Sequence, residues 1–334
     1  MQKQYYPAIG FAKFIFSIFI IGQHTQPLFE ESFFNTAARI LFTVAVPFFF
    51  FCAGFFLSRG LDSESVFTKK RIAYFLRIAV LYIVFSFVYL PLVPSMWFAD
   101  APINCVQIMW FVKERMLFGC FEHLWYLYAL FFGGLIYLLL VRFLKIRAVT
   151  LIAVICYTVG VVFHNILPPN EEFKYSVWIG VQSVLFSAFP MITFGGALSI
   201  TKRKMSKKFL LCIGVISLFG YFTELRIYSL LPDRLALQMF FIPLLVAIVF
   251  ALLCKLEIKK TNVCKVLQSA STWNYLIHMW IILAPQHIFG LNFSQSGWKT
   301  FLMVSLFSSV LSILFALAES RLRFCLKKNC GGSL

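Results

Sequence analysis

Five histidines and two cations fall within, or at the ends of, stretches that are otherwise apolar: Lys13 and His24, Arg77, His123, His164, and His278 with His287. An ionisable side chain is expensive in hydrocarbon, so each of these positions is a functional hypothesis by default. Imidazole titrates near pH 6.5 and is mostly neutral at pH 7, which suits a base. A fixed cation suits an anionic ligand. Lys13 and His24 stand eleven residues apart. At about 100° per residue this is three turns plus roughly 20°, so both project from one helix face, about 16 Å apart along the axis. Two readings fit this pair. It lines a path between the two sides of a membrane, with the cation at one end and the titratable ring at the other. Alternatively, Lys13 snorkels to the headgroups and His24 only ends the helix.

The acidic residues narrow the chemistry. All thirteen Asp and Glu lie in loops or at the ends of apolar stretches, so no mid-membrane carboxylate is evident to carry a coupling ion. Nine cysteines are scattered without a C-x-x-C pair, and histidines without acidic partners do not argue for a metal. Cys105 and Cys120 share one long connection, and sequence leaves their pairing open. His123 opens an apolar stretch beside Trp125 and Tyr126, where it orients a ligand or sits in an interfacial aromatic belt. His278 serves a site or joins neighbouring helices by a hydrogen bond. His164 and His287 lie toward the outer ends of their stretches and read as structural.

These side chains need helices to hold them, and the composition supplies little else. Of 334 residues, 61% are hydrophobic and only 13% charged, with a mean hydropathy of +0.86. A soluble domain runs nearer half apolar and a quarter charged. A membrane-crossing helix needs about 20 mostly apolar residues. That rule predicts an all-α, polytopic bundle of ten spans at about 7–28, 36–58, 73–94, 123–144, 149–167, 178–200, 209–224, 236–254, 269–289 and 299–320, with residues 1–334 forming one transmembrane domain. Pro47, Pro190, Pro243 and Pro285 predict kinks within spans. Lys13 interrupts the first run and no small-residue cleavage site follows, so that run reads as a retained helix rather than a signal peptide.

The net charge of +17 is placed as an orientation signal, not as a nucleic-acid footprint. Of the 30 Lys and Arg, 21 fall in one set of alternating loops and seven in the other, which predicts both termini in the cytoplasm. The longest connection, about 95–122, then lies outside. Its Trp97, Phe98, Trp110 and Phe111 fit an interfacial or re-entrant segment and fit an anchored surface loop equally well.

Five separated motifs resemble the acyltransferase 3 family, integral membrane proteins that O-acylate sugars and other cell-envelope acceptors. Lys13-x10-His24 within KFIFSIFIIGQHTQPLF is similar to its Arg/Lys-x10-His signature, and PFFFFCAGFFLSR at 47–59 to its second-helix stretch. KKRIAYFLR at 69–77 is similar to its basic entry to the third helix, HLWYLYAL at 123–130 to its H-x-W segment, and STWNYLIHMWII at 271–282 to its late Y-L-x-H helix. The sequence departs from the family with Lys13 where many members have Arg, Ala53 where many have Ser, Phe55 for Tyr, and Tyr74 where a second Arg is common.

The resemblance implies a bacterial cytoplasmic-membrane enzyme with no bound cofactor. It would use acetyl-CoA or another acyl-CoA as co-substrate and an envelope glycan or lipid-linked sugar as acceptor. On that implication Lys13, Arg71 and Arg77 hold the donor's phosphates, while Lys69 and Lys70 mainly set topology. His24 acts as base or acyl carrier, and His123, Trp125, Tyr126 and His278 stand near the acceptor or support His24. Two other classes remain open from the residues alone: a multi-helix transporter of a small polar solute or amino acid, and a scaffold for partner envelope enzymes.

Overall fold

The computed structural model describes residues 6–28, 33–61, 65–93, 104–105, 108–109, 121, 123–166, 180–201, 206–229, 239–291 and 294–330. Among them all regular structure is helical. In chain order the helices are α1 (Pro7–His24), α2 (Phe33–Thr43), α3 (Ala45–Leu57), α4 (Lys69–Tyr89, continued by a 3-10 turn Leu90–Leu92), α5 (Trp125–Phe143), α6 (Ile146–Ile166), α7 (Phe189–Thr201, preceded by a π-helical segment Gln182–Ala188), α8 (Lys207–Ser229), α9 (Ile242–Cys254), α10 (Asn262–His287) and α11 (Trp298–Cys330). Each of the ten apolar stretches read from the sequence holds one or more of these helices.

Seven helical segments among the described residues are long and apolar enough to cross a bilayer: Pro7–His24, Lys69–Leu92, Trp125–Phe143, Ile146–Phe163, Gln182–Thr201, Lys207–Ile227 and Trp298–Arg323. The other three stretches differ for identifiable reasons. Leu41–Leu57 and Ile242–Cys254 are apolar but short. α10 has 26 residues, yet Lys265, Gln268, Asn274, His278 and Gln286 make it too polar to qualify. The stretch expected as one span at 36–58 is interrupted at Val44. Pro47 has no N–H to donate to the Thr43 carbonyl four residues back, so the helical ladder is broken there. Pro190 acts in a similar way, and the wide π turn lies directly before it, with Phe189 N–H reaching back five residues to Val184 O. Where no proline intervenes, capping marks the starts. Thr68 and Thr261 accept hydrogen bonds from Arg71 N and Cys264 N, opening α4 and α10.

The 95–122 connection lies largely outside the described residues, as does Cys120. Cys105 is exposed, and the His164 side chain is also outside the description.

The contacts divide the chain into two units, residues 1–45 with 253–334 and residues 46–252. In the first, α1, α10 and α11 pack on one another and α2 packs on α1. α1 and α10 run in the same direction, since Gly10 lies against Cys264 and Gln268 while Ser17 meets Asn274. α11 runs opposite to α10, joined by Ser269 to Glu319 and by Asn274 to Ser308.

In the second unit α4, α5, α6 and α7 pack in pairs, and small residues let backbones approach closely. A Cβ on Gly54 would lie 1.8 Å from Ile192 O, and one on Gly195 would lie 2.0 Å from Phe51 O. Both obstacles are backbone, which cannot swing aside. Gly54→Val and Gly195→Val should therefore each lower stability by about 3 kcal/mol or more, whereas Gly214→Ala, whose Cβ would meet only Ile248 Cγ2 at 3.4 Å, should be tolerated. Thermal unfolding of detergent-purified variants, followed by size-exclusion profile, tests the contrast.

Candidate functional site

The face of α1 that carries Lys13 and His24 is the face it packs on α10. Gly10, Ser17 and His24 recur at seven-residue spacing, which drifts by only about 20° per step on an α-helix. Gly10 brings the two helices together: even a methyl there would stand 3.3 Å from Cys264 O. One turn further, Lys13 is half-buried. Ser17 is fully buried, donates its hydroxyl hydrogen to Phe14 O at 2.7 Å, and accepts from Asn274 Nδ2 at 3.0 Å. Asn274 Oδ1 in turn accepts the Ser308 hydroxyl from α11. Three helices meet at this amide.

One turn beyond Asn274, His278 is wholly buried. Its Nδ1 lies 2.8 Å from Tyr275 O and 3.2 Å from Asn274 O. A carbonyl oxygen only accepts, so Nδ1 carries the hydrogen and the lone pair of the neutral ring is on Nε2. The His24 ring stands against it, with centroids 5.2 Å apart and planes tilted by 45°. The structure thus brings two imidazoles from distant parts of the sequence to the upper end of the Lys13 stripe.

The segment after His24 is tied down on several sides. Thr25 closes α1 on Ile21 O through both its N–H and its hydroxyl. Gly297 N–H donates to Thr25 O and Trp298 N–H to Leu28 O, at 3.0 and 3.1 Å. Gly297 has φ 105°, a left-handed conformation that favours glycine. Gln23 donates to Phe42 O at 2.7 Å, which fixes α2 against the same end.

The other sequence-predicted residues belong to the second unit. Arg71 is buried, and its guanidinium donates to Leu57 O, Ser65 O, Val66 O and Arg59 O at 2.7–3.1 Å. Four directed bonds hold the loop between α3 and α4, a structural task that the expectation of a donor-binding arginine did not include. Arg77 is exposed on α4. His123 is buried against the rings of Tyr89 and Phe121, at 4.7 and 6.0 Å. Trp125 and Tyr126 pack on Phe50 at 6.1 and 4.8 Å. Around the start of α5, His123 thus packs in one aromatic group, while Trp125 and Tyr126 share another built on Phe50.

Sequence reasoning missed Ser17, Asn274 and Ser308. Two of them carried a readable signal: Ser17 is four residues from Lys13 on the same stripe, and Asn274 is four before His278. Ser308 carried none. Among the described residues, no group of three or more His, Cys, Asp or Glu is placed to hold a metal ion. Glu224 is buried in α8 and accepts from the backbone N–H groups of Phe240 and Phe241. Glu319 in α11 accepts from Ser269 and Trp273 and pairs with Arg323. Both carboxylates join helices.

A family model described as an acyltransferase domain, that of acyltransferase 3, matches residues 6–318, nearly the whole chain. A protein of Enterococcus faecalis named an amino-acid racemase is 32% identical over 164 residues, which are 48% of this chain and 22% of that protein. The aligned part is therefore under a quarter of the relative's length. No solved structure matches.

The two arginines differ in what they hold, and this is measurable. Arg71→Lys keeps the charge but not the planar fork that reaches four carbonyls, so it should lose about 1.5–3 kcal/mol of stability. Arg77→Lys, on an exposed face, should leave thermal unfolding unchanged. Melting curves in the same detergent decide between them.

Proposed function

This chain belongs to the acyltransferase 3 family, and from that premise we propose that it moves an acyl group, most simply acetyl, from a cytoplasmic acyl-CoA to a hydroxyl of an extracytoplasmic glycan or lipid-linked sugar. The observation that carries this reading is the pairing of His24 with His278, 5.2 Å between ring centres, on the helix face that also bears Lys13.

In the proposed reaction the acceptor hydroxyl attacks the thioester carbonyl. A C–O bond forms, the C–S bond breaks, and the hydroxyl proton passes to His24 and then to the departing thiolate, which leaves as free CoA. Imidazole at the reacting carbon suits both halves of that transfer. The same ring also suits a two-step route through an acyl-imidazole, which rapid acid quench and mass spectrometry of the His24 peptide would trap. His278, with its hydrogen fixed on Nδ1, offers Nε2 as an acceptor beside His24 and limits how the first ring turns. Lys13 supplies a point charge for the donor's phosphates, and the pantetheine arm covers the distance along the stripe. Arg77 adds an exposed cation, while Arg71 serves by holding its loop. The loop bias of Lys and Arg supports a cytoplasmic Lys13 end, the side on which acyl-CoA is made.

A second reading is favoured by the relative named an amino-acid racemase. A membrane region like this one, within a larger protein that acts on amino acids, would fit transport of a small polar solute or amino acid. Uptake into proteoliposomes lacking CoA would favour it.

His24→Ala should lower acyl transfer by about 10²–10⁴-fold, with normal protein level and unchanged acyl-CoA binding. Mass spectrometry of envelope glycans and calorimetry on purified protein measure the two; full activity in this variant would end the proposed role of His24. Lys13→Ala should weaken acyl-CoA binding by about tenfold, as loss of one charge-assisted contact implies, and Lys13→Arg should restore it. Equal binding by all three proteins would remove Lys13 from the donor site.

A further inference from the structure

We infer that Asn274 is a positioning residue for the histidine pair: its amide locks α1, α10 and α11 in the one register that sets His278 against His24. The inference rests on the acyl-transfer reading for its meaning in catalysis, but its geometry stands apart from that reading.

The lock is directional. Ser17 commits its hydroxyl hydrogen to Phe14 O at 2.7 Å, so it offers Asn274 a lone pair and receives the Nδ2 hydrogen at 3.0 Å. Ser308 donates on the opposite side, to Oδ1. The NH2 end of the amide must therefore face α1 and the carbonyl end α11. Ser17, Asn274 and Ser308 are all fully buried, so water does not substitute for a lost partner. The backbone carbonyl of the same residue accepts from His278 Nδ1 at 3.2 Å, placing the lock one turn from the ring it steadies.

The register matters because the Glu319 bonds to Ser269 and Trp273 join α10 to α11, and the Gly297–Thr25 and Trp298–Leu28 bonds join the end of α1 to the start of α11, whereas the Asn274 amide ties all three helices at one point. Much of the surrounding side-chain surface is apolar, including Ile9, Ile20 and Ile21 on α1 and Leu276, Met279 and Ile282 on α10, all buried. Lipid-embedded helices gain little from hydrophobic contact with one another, so directed polar bonds between them carry the specificity. A slip of one turn moves a helix by about 5.4 Å, comparable to the whole spacing of the two rings. Asp at 274 would set an acceptor oxygen against the Ser17 oxygen, and Leu would break both side-chain bonds.

The test uses the full chain in lipid nanodiscs, with Asn274→Leu, Asn274→Asp and Ser308→Ala beside the parent. Ser308→Ala removes one bond with almost no change in volume and keeps the test valid where the Asn274 variants fail to fold. Carbethoxylation of each histidine by diethyl pyrocarbonate is followed by peptide mass spectrometry, with His287 at the end of α10 as internal reference. In folded variants, labelling of His24 or His278 should change by about fivefold or more, as loss of protection by local opening implies, with His287 unchanged. Acyl transfer should fall about tenfold or more in kcat, as displacement of a reacting group by an ångström does, with KM for acyl-CoA little altered. Unchanged labelling of both histidines in every folded variant would overturn the inference. If labelling shifts but the parent protein transfers no acyl group, the lock stands and the acyltransferase reading fails.

Discussion

In hydrocarbon a polar group that leaves water has only other protein groups to pair with, and that constraint organises the α1–α10–α11 packing. Ser17, Asn274 and Ser308 satisfy one another across three helices, and His278 settles its Nδ1 hydrogen on the carbonyls one turn back. Each pairing removes a freedom. Ser17 orients the amide, the amide joins the helices, and the carbonyl chooses the tautomer of the ring. The tautomer of His278, whose ring stands 5.2 Å from that of His24, is thus the last link in a chain of satisfied hydrogen bonds rather than an isolated feature.

The same constraint acts in the second unit. Arg71 satisfies its guanidinium on backbone carbonyls of the α3–α4 loop, and Tyr157 donates to Met239 O at 2.7 Å. Glu224 draws on the N–H groups that open α9. Ser58 and Tyr137 share a hydrogen bond beside Gly196, whose missing side chain makes room for both. Polar atoms here are placed where backbone groups are exposed by a helix end or turn, and the glycines allow the close crossings between.

Much of this was legible in the residues. Hydropathy located every apolar stretch that became a helix, and the eleven-residue interval put Lys13 and His24 on one stripe. Prolines marked some of the breaks, although Pro47 interrupts its helix more fully than a kink would. Other features depended on partners far along the chain. Nothing near Ser308 tells that it will face Asn274, because the pairing is set by how α11 packs on α10. Arg71 read as a donor-binding cation within a basic run, and only the folded loop shows which carbonyls it serves. His278 was visible as an ionisable group in an apolar helix, but its closeness to His24 required the parallel packing of the first helix on the tenth.

The unit containing the histidine pair is made from two separated pieces of chain, residues 1–45 and 253–334, with the whole second unit encoded between them. Ribosomal synthesis therefore delivers the halves of this site at different times. After α1 emerges, it must wait in the lipid while some two hundred residues are made and inserted, and only then do α10 and α11 arrive to dock on it. Its apolar surface suits that wait; its Lys13, Ser17 and His24 do not, because they pass the interval without their eventual neighbours. The site is thus completed only after α10 and α11 have been inserted, and a chain stalled before α10 would present the His24 imidazole without the ring it meets in the finished fold.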